Sequence, residues 1–390
     1  MDVRRPRIHR VRQPLFSREV NFLPDFVRRL ARESVTQPLS DPVASNASAY
    51  LDAVGERRLG WRAFRRELVY RLSGQERYRI DRLGQGRRRG LWMYFGVPQI
   101  GDALMDLAPR SLFAEAGVAV DLATHPHLAE LFQGDPWFAN VLADPSEISG
   151  TAYDFVIVPS HKHRSLKMKQ RYLPHHPWLS MHGRFTGPEF HRAEFAARRL
   201  ADFLQLALTP ESLARHARQK LGSEGVAGGT AESLPFSTNA VALAVGGVRE
   251  ERTYSRWAEV VGELARAGVD TFVLLGSENA KAAAAEILER AEAAAQIHDF
   301  VGRTSLRECH RLISRCALTI AADGGLMHLA VAAGRPVVAL FQGGILSRWR
   351  LPPADAKRAI QSNTSNVSDI TPERIAQAAR EALLARDRQR

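Results

Sequence analysis

The chain has 390 residues, 45% hydrophobic and 25% charged, enough apolar material for two ordinary domains with length to spare. No apolar run nears the roughly 20 residues needed to cross a bilayer, and the basic start, residues 1–12, leads into no apolar segment, so no secretory signal is expected. The net charge of +12 is unevenly spread: residues 1–90 carry 21 arginines against 10 acidic residues, which leaves the rest of the chain close to neutral.

Residues 1–89 read as an Arg-rich extension. Up to about residue 48, prolines and the polar stretch Ser40-Asp41-Pro42-Val43-Ala44-Ser45-Asn46 point to loose structure. From Ser48 to Leu83 a helix is expected, because Trp61, Phe64, Leu68 and Leu72 recur at spacings of three and four, with Arg62, Arg65, Arg66 and Arg71 between them. That aromatic stripe is expected to pack on the body of the protein. A basic amphipathic helix can also lie on an anionic membrane surface or meet an acidic partner. Nucleic acid is not expected, since the extension has charge but no recognisable reading motif. Arg87-Arg88-Arg89 marks the boundary.

Beyond Gly90 short apolar runs alternate with helical patterns. Strands are expected at Leu91–Phe95, Val118–Ala123, near Phe138–Leu142 and at Tyr153–Pro159. Helices are expected at Asp102–Ala116, His127–Gln133 and Glu189–Leu206, and a loop from about Leu166 to Pro188. Gly222–Thr230, with four glycines, is the best linker. The alternation then resumes. Strands are expected at Val241–Val245, Thr271–Leu275, Leu318–Ala322 and Val337–Phe341. Helices are expected at Ser255–Ala267, Ala280–Ala295, Ser305–Cys316 and Leu326–Ala333. A last helix, Pro372–Arg386, starts with Thr371 as its cap and proline at its first position. The expected layout is an extension (1–89), a Rossmann-like domain (90–225), a second Rossmann-like domain (226–365) and a carboxyl-terminal helix (366–390). Two such α/β units make a cleft between the carboxyl edges of their sheets. Cys309 and Cys316 lie about 10 Å apart along one helix, too far for a disulfide, and read as free core thiols.

The strongest chemical signal is Ala322-Asp323-Gly324-Gly325-Leu326-Met327-His328-Leu329, between a strand and a helix. The glycines let backbone approach a ligand, and a helix start with free N–H groups seats a diphosphate. Asp323 could cap the helix or bond sugar hydroxyls. His328 could reach a phosphate or steady the loop. A second element is Ile100-Gly101-Asp102-Ala103-Leu104, after the first strand of the amino-terminal domain, where Asp102 could cap a helix. A third, Ser160 to Arg171, is basic and holds His161, Lys162, His163 and Arg164; it would attract an acidic ligand. His161, His163, His175, His176 and His182 show no metal-ligand spacing, and no metal is expected.

These stretches, taken in order, resemble the bacterial heptosyltransferases of glycosyltransferase family 9. The resemblance runs through Leu274-Leu275-Gly276-Ser277, Val301-Gly302-Arg303-Thr304-Ser305-Leu306, the Asp323 loop, and Ala333-Gly334-Arg335-Pro336 before the last strand. Arg252-Thr253-Tyr254 resembles the family's Lys-x-Trp motif near the donor phosphates, and Gly101-Asp102 its Gly-Asp-x-Leu motif. The resemblance implies a GT-B fold and an inverting, metal-independent transfer of sugar from a nucleotide sugar, ADP-heptose by default, with no cofactor. It implies a glycan or glycolipid acceptor of lipopolysaccharide biosynthesis and a cytoplasmic, peripheral-membrane setting. It gives Asp102 the part of catalytic base. Donor binding would fall to Arg252, Gly276, Ser277, Thr304, Ser305, Leu306, Asp323, Gly324, Gly325, Leu326 and His328, and acceptor binding to His161, Lys162, His163 and Arg164. Three departures bear on the donor: Gly324 replaces a Ser or Thr, Gly246-Gly247-Val248 replaces a small polar residue, and Gln342-Gly343-Gly344 replaces a Tyr-Gly-Pro-like run. The alternatives are another nucleotide sugar, a binding protein that keeps the fold without activity, and a sugar-nucleotide epimerase, for which no added catalytic acids are seen.

Overall fold

A computed structural model describes residues 24–36, 47–148, 153–187, 189–222, 239–291 and 295–388. Most of the stretch read as loose (1–23 and 37–46) and nearly all of the proposed linker (from residue 223) lie outside these residues.

The extension is more ordered than its composition implies. It forms α1 (Asp25–Val35), α2 (Ala47–Val54) and α3 (Glu56–Leu72). Residues 25–35, expected to be loose, are helical because Val27, Ala31, Ser34 and Val35 bury one face, and Ala31 and Val35 close on Leu59 of α3. The bundle docks on the body through Tyr70, whose ring meets Trp178 edge-on at 6.1 Å, and through a hydrogen bond from Thr186 N–H to Ser34 O (2.7 Å). The aromatic stripe does not pack as expected. Leu59, Gly60, Glu67 and Tyr70 turn inward instead, which leaves Trp61 41% and Leu72 78% exposed.

The first sheet contains β1 (Arg89–Tyr94), β2 (Ala119–Thr124), β3 (Val141–Leu142), β4 (Phe155–Val158) and β5 (Trp178–Ser180), all parallel in the order β3-β2-β1-β4-β5. Its central strands are apolar on both faces because helices cover both sides. Those helices are α4 (Ile100–Asp106), α5 (Leu112–Glu115), α6 (Pro126–Phe132), α7 (His163–Tyr172), α8 (Arg192–Leu204) and α9 (Pro210–His216). Two elements differ from expectation. The helix expected over 102–116 is broken at Ala108–Ser111 into a 3-10 turn, where Pro109 cannot donate a helical hydrogen bond. The expected loop 166–188 contains most of α7 and all of β5. Leu166 packs inward, and the Lys169 ammonium is buried, donating to Gln75 Oε1 (2.5 Å) and Pro174 O (3.0 Å).

The second sheet is parallel in the order β11-β10-β9-β6-β7-β8. It is built from β6 (Val241–Ala244), β7 (Thr271–Leu275), β8 (Gln296–Asp299), β9 (Leu318–Ala322), β10 (Val337–Phe341) and β11 (Ile360–Gln361). Its helices are α10 (Trp257–Arg266), α11 (Lys281–Arg290), α12 (Leu306–Arg315), α13 (Gly325–Ala332), α14 (Pro353–Arg358) and α15 (Pro372–Asp387). The helix expected to reach Ala295 stops at Arg290, and β8 follows as an edge strand too polar to stand out in the sequence. Ile375, Ala376, Ala379 and Ala382 of α15 sit in the core of this sheet, so the last helix is part of the second domain. Cys309 and Cys316 are buried and free; burial pushes the Cys316 thiol up to about 12.

The two domains meet along α4 and α13, and one apolar core runs through the contact. The approach is close: a β-carbon on Gly101 would stand 2.4 Å from His328 Cδ2, and one on Gly325 would stand 3.1 Å from Ile100 Cδ1. Gly101→Ala is therefore expected to separate α4 from α13 and to destabilise the protein by about 1–3 kcal/mol. Urea unfolding of the variant checks this, and an unchanged midpoint would contradict the close packing.

Candidate active site at the interdomain contact

Each sheet has a switch point, where neighbouring strands send their chains to opposite faces and open a crevice at their carboxyl ends. In the first sheet this point lies between β1 and β4, in the second between β6 and β9. The loop after β1 leads to Asp102, and the loop after β4 carries His161 and Lys162. The loop after β6 leads to Arg252, and the loop after β9 carries Asp323 and Gly324. The packing of Ile100 and Gly101 on Gly325 and His328 brings the starts of α4 and α13 together. Asp102 and the Asp323 loop thus flank one contact.

Asp102 does not cap its helix. Gln99 holds the cap position, and Asp102 lies in the first turn, where the helix dipole favours a carboxylate. Its Oδ1 pairs with Arg192 Nη1 at 2.9 Å. Arg192 is in turn fixed by Asp106, one turn further along α4. The Arg192 Nε donates to Oδ1 of Asp106 (2.5 Å) and Nη2 to Oδ2 (2.7 Å). Asp106 is buried, and it also accepts from Tyr94 Oη (2.9 Å) and pairs with His182 Nε2 (3.0 Å). Burial alone would raise the pKa of Asp106, but Arg192, followed by His182, outweighs it and holds the carboxyl well below the usual carboxylate range. Two carboxylates also hold the Arg192 guanidinium charged against its burial. Sequence reasoning missed Arg192, Asp106 and His182. The one available signal was the spacing of Asp102 and Asp106, which puts two carboxylates on one helical face.

In the second domain, Arg252 Nη1 stands 3.4 Å from Asp323 Oδ2, which joins two of the expected residues across the switch point. Asp323 is buried and its Oδ2 accepts no hydrogen bond among the described residues. The cap of α13 is Gly324, in extended conformation, with no side-chain capping bond, so Asp323 is not a cap and the first N–H groups of α13 lack that partner. Leu326, in the first turn of α13, is half-buried against the shared core. Gly276 and Ser277 follow β7; the Ser277 hydroxyl donates to Asn279 Oδ1 (2.8 Å), and Asn279 Nδ2 donates to Gly247 O (2.6 Å). Ser305 is committed to a capping box with Glu308 at the start of α12, Thr304 Oγ1 lies 3.1 Å from Cys309 Sγ, and Leu306 packs on the core. His328 is buried, and its Nδ1 lies 2.9 Å from Gln219 Oε1. Burial, with Arg350 and Arg192 nearby, pushes its pKa down to about 3, so the ring is a neutral spacer between domains.

The three departures from the family pattern differ physically. A β-carbon on Gly247 would come within 2.3 Å of Thr253 Oγ1, and one on Gly343 within 2.6 Å of Thr364 O, so tight packing requires glycine at both. A β-carbon on Gly324 would meet nothing closer than 3.7 Å. The missing hydroxyl there leaves open space.

The basic stretch after β4 is split by the fold. His161 is buried with neither ring nitrogen bonded among the described residues, and burial pushes its pKa down to about 3. Lys162 precedes α7 and reaches solvent, while His163 and Arg164 occupy the exposed first turn of α7. The other histidines are dispersed: His175 Nδ1 meets Tyr78 Oη (2.9 Å) and His182 serves Asp106. Among the described residues no group of three or more His, Cys, Asp or Glu could hold a metal ion.

With this geometry in hand, the comparisons with known proteins are specific. Residues 207–378 match the model of glycosyltransferase family 9 (heptosyltransferase). Lipopolysaccharide heptosyltransferase 2 of Salmonella typhimurium is 31% identical over 137 residues, 30% of this chain and 38% of that protein. Its Escherichia coli K12 counterpart is 31% identical over 146 residues, 33% of this chain and 41% of that protein. These sequence matches thus span about two-fifths of the length of the curated relatives. The fold likeness is wider. A glycosyl transferase family 9 structure from Veillonella parvula superposes with a TM-score of 0.61 at 16% identity, covering 78% of this chain and 99% of the other. The E. coli ADP-heptose LPS heptosyltransferase II structure gives 0.56 at 20% identity, covering 77% and 99%. The class is a GT-B-like, two-domain α/β protein. More particularly, the chain resembles the heptosyltransferases of glycosyltransferase family 9.

Because His161 and His328 are neutral in the fold, stability is complete above about pH 6.5, where the unfolded imidazoles are also neutral. Below that the unfolded chain takes up protons that the folded one refuses, and stability falls by about 1.4 kcal/mol per pH unit for each histidine, until the folded pKa is reached. Urea titrations at pH 7 and pH 5 should show a smaller pH-dependent loss in His328→Gln than in the parent protein. Equal losses would mean that the ring is not held neutral.

Proposed function

We propose that the protein is an inverting glycosyltransferase that moves a sugar from a nucleotide sugar, ADP-heptose by resemblance, to a glycan or lipid-linked acceptor of the bacterial cell envelope. The observation that supports this reading is the contact of the α4 start with the α13 start, which brings the helix turn that carries Asp102 to an uncapped helix start of the other domain. In this reading Asp102 takes the proton of an acceptor hydroxyl as that oxygen bonds to the anomeric carbon. The bond from that carbon to the leaving phosphate oxygen breaks, and the nucleoside diphosphate departs with the electron pair from the opposite face. Arg252 and the N-terminal N–H groups of α13 stabilise the diphosphate. Asp323 repels phosphate, so its part is to orient Arg252 and the sugar hydroxyls. Neither a metal nor a cofactor is needed, since fixed guanidinium and helix-end charges do the work of a cation. The open space at Gly324 favours, as the second reading, a donor sugar other than heptose.

The exposed face of the extension supports a membrane setting, which the resemblance puts on the cytoplasmic face. Phe26, Trp61, Leu68, Val69 and Leu72 form an exposed apolar surface on α1 and α3, bordered by exposed Arg58, Arg62 and Arg65. Aromatic side chains interleaved with arginine suit an anionic bilayer interface. No helix among the described residues is long and apolar enough to cross a membrane.

Two tests follow. Asp102→Asn should keep nucleotide binding and lose transfer by about 10²–10⁴-fold, whereas Asp323→Ala should weaken binding of the nucleotide sugar. Titration with ADP-, UDP- and GDP-sugars, followed by transfer to an envelope extract, checks both; an active Asp102→Asn enzyme would remove the base. Flotation with phosphatidylglycerol vesicles should capture the protein, and a Trp61→Ser, Leu72→Ser double variant should float several-fold less. Equal flotation would dismiss the membrane surface.

A further inference from the structure

Asp102 and Asp106 lie one turn apart on one face of α4, yet the fold treats them differently. The Asp106 side chain is only 1% exposed, and each of its oxygens is occupied twice. Oδ1 is taken by Arg192 Nε and His182 Nε2, and Oδ2 by Arg192 Nη2 and Tyr94 Oη. A carboxylate has about four lone-pair sites, so Asp106 can accept nothing more. The Asp102 side chain is 26% exposed, and its one ion pair among the described residues joins Oδ1 to Arg192 Nη1 at 2.9 Å. An accessible carboxylate is thus joined to a saturated one through a single guanidinium.

Local helix stability does not account for an arginine at this position. Arg192 is the first residue of α8, where the positive end of the helix dipole disfavours a cation. The helix already has a cap in His191, whose Nδ1 accepts from Glu194 N–H (3.1 Å). The groups around the guanidinium are themselves fixed. The His182 ring stacks on Phe195 with centroids 5.3 Å apart and planes 9° apart, and Phe195, Ala196 and Leu200 of α8 are buried in the first domain. On its other side Arg192 adjoins the interdomain contact, where its charge acts with that of Arg350 on the His328 ring.

We propose that Arg192 is the positioning residue of the transfer site: anchored on Asp106, it holds one oxygen of Asp102 and so aims the other at the acceptor hydroxyl. Tyr94 and His182 act one step further back, by fixing Asp106. The aiming role rests on the transferase reading above; the joining of the two aspartates through Arg192 does not.

The test uses the full chain and two readouts. The first needs no substrate: the nitrogen NMR signal of the Arg192 Nε–H group should move in Asp106→Asn and, by less, in Asp102→Asn. The second is single-turnover transfer from ADP-heptose to an envelope extract. Arg192→Gln should slow transfer about 10²-fold, the effect of a small misplacement of a reacting group, while its Kd for ADP stays that of the parent protein. Arg192→Lys keeps the charge without the planar fork and should recover part of the rate. The double variant decides between aiming and general damage. If Arg192 acts through Asp102, adding Arg192→Gln to Asp102→Asn slows transfer no further; losses that multiply overturn the proposal. Should Arg192→Gln fail to bind ADP, Arg192→Lys, alone and with Asp102→Asn, serves for the same comparison. Parental transfer rates in Arg192→Gln, or an Arg192 signal that ignores both aspartates, also overturn it. If no nucleotide sugar supports transfer although the signal responds to both aspartates, the transferase reading fails and the aiming role with it, while the link from Asp102 through Arg192 to Asp106 stands.

Discussion

Helices α4 and α13 can touch because residue 101 has no side chain, and the His328 ring fills the space that a β-carbon would take. This contact aligns the carboxyl edge of one sheet with that of the other, so every chemical group described above is placed relative to it. A neutral imidazole suits the position. It packs as a flat apolar body on one side and offers a nitrogen to Gln219 on the other, and Gln219 Nε2 donates to Arg350 O (3.0 Å) to tie the connecting segment to the second domain. A charged ring there would face Arg350 and Arg192 without a counter-ion, which is why burial and those arginines keep it unprotonated.

The network beneath Asp102 has a different purpose from stability. Removing Asp106 and Arg192 from water is expensive, and a buried ion pair roughly offsets that expense instead of adding much net stability. What the pair supplies is geometry: a planar guanidinium held by two bonds to Asp106 can present its remaining nitrogen to Asp102 in only a narrow range of directions. Tyr94 and His182 complete the shell, so the carboxylate at the edge of the crevice is held by groups that cannot themselves relax. The second domain's side of the contact is built more loosely. Arg252 and Asp323 face each other at 3.4 Å, and the Asp323 Oδ2 accepts no hydrogen bond among the described residues.

The extension changes the meaning of the charge imbalance. Its arginines are divided between an outward face, where they border exposed aromatics, and an inward one, where Arg66 meets the first domain over a cavity. One helix, α3, therefore has one face in solvent and one against the first domain. The Tyr70–His161 stack joins it to the loop that follows a central strand of the first sheet.

Much of this was legible in the residues themselves. The strands β1, β2, β4, β6, β7, β9 and β10 are short apolar runs because both faces of a parallel sheet are covered, and that pattern needs no tertiary information to be seen. The Asp323-Gly324-Gly325 and Gly101-Asp102 motifs were likewise visible, since glycine beside an acidic residue at a strand-to-helix turn is a local signature. Polar edge strands such as β8, and β5 within its His- and Pro-rich surroundings, were not, because their strand character comes from pairing with a neighbour. The inward turn of α3 was hidden for a related reason: helical periodicity identifies an apolar stripe but not which stripe finds a partner. Arg192 is 90 residues from Asp102, and nothing in either stretch announces the other. Local sequence determined the elements and the two motifs. Which charges meet, which aromatics stay exposed and which cavity opens were decided only in three dimensions, because burial and electrostatics act between groups that the chain order keeps apart.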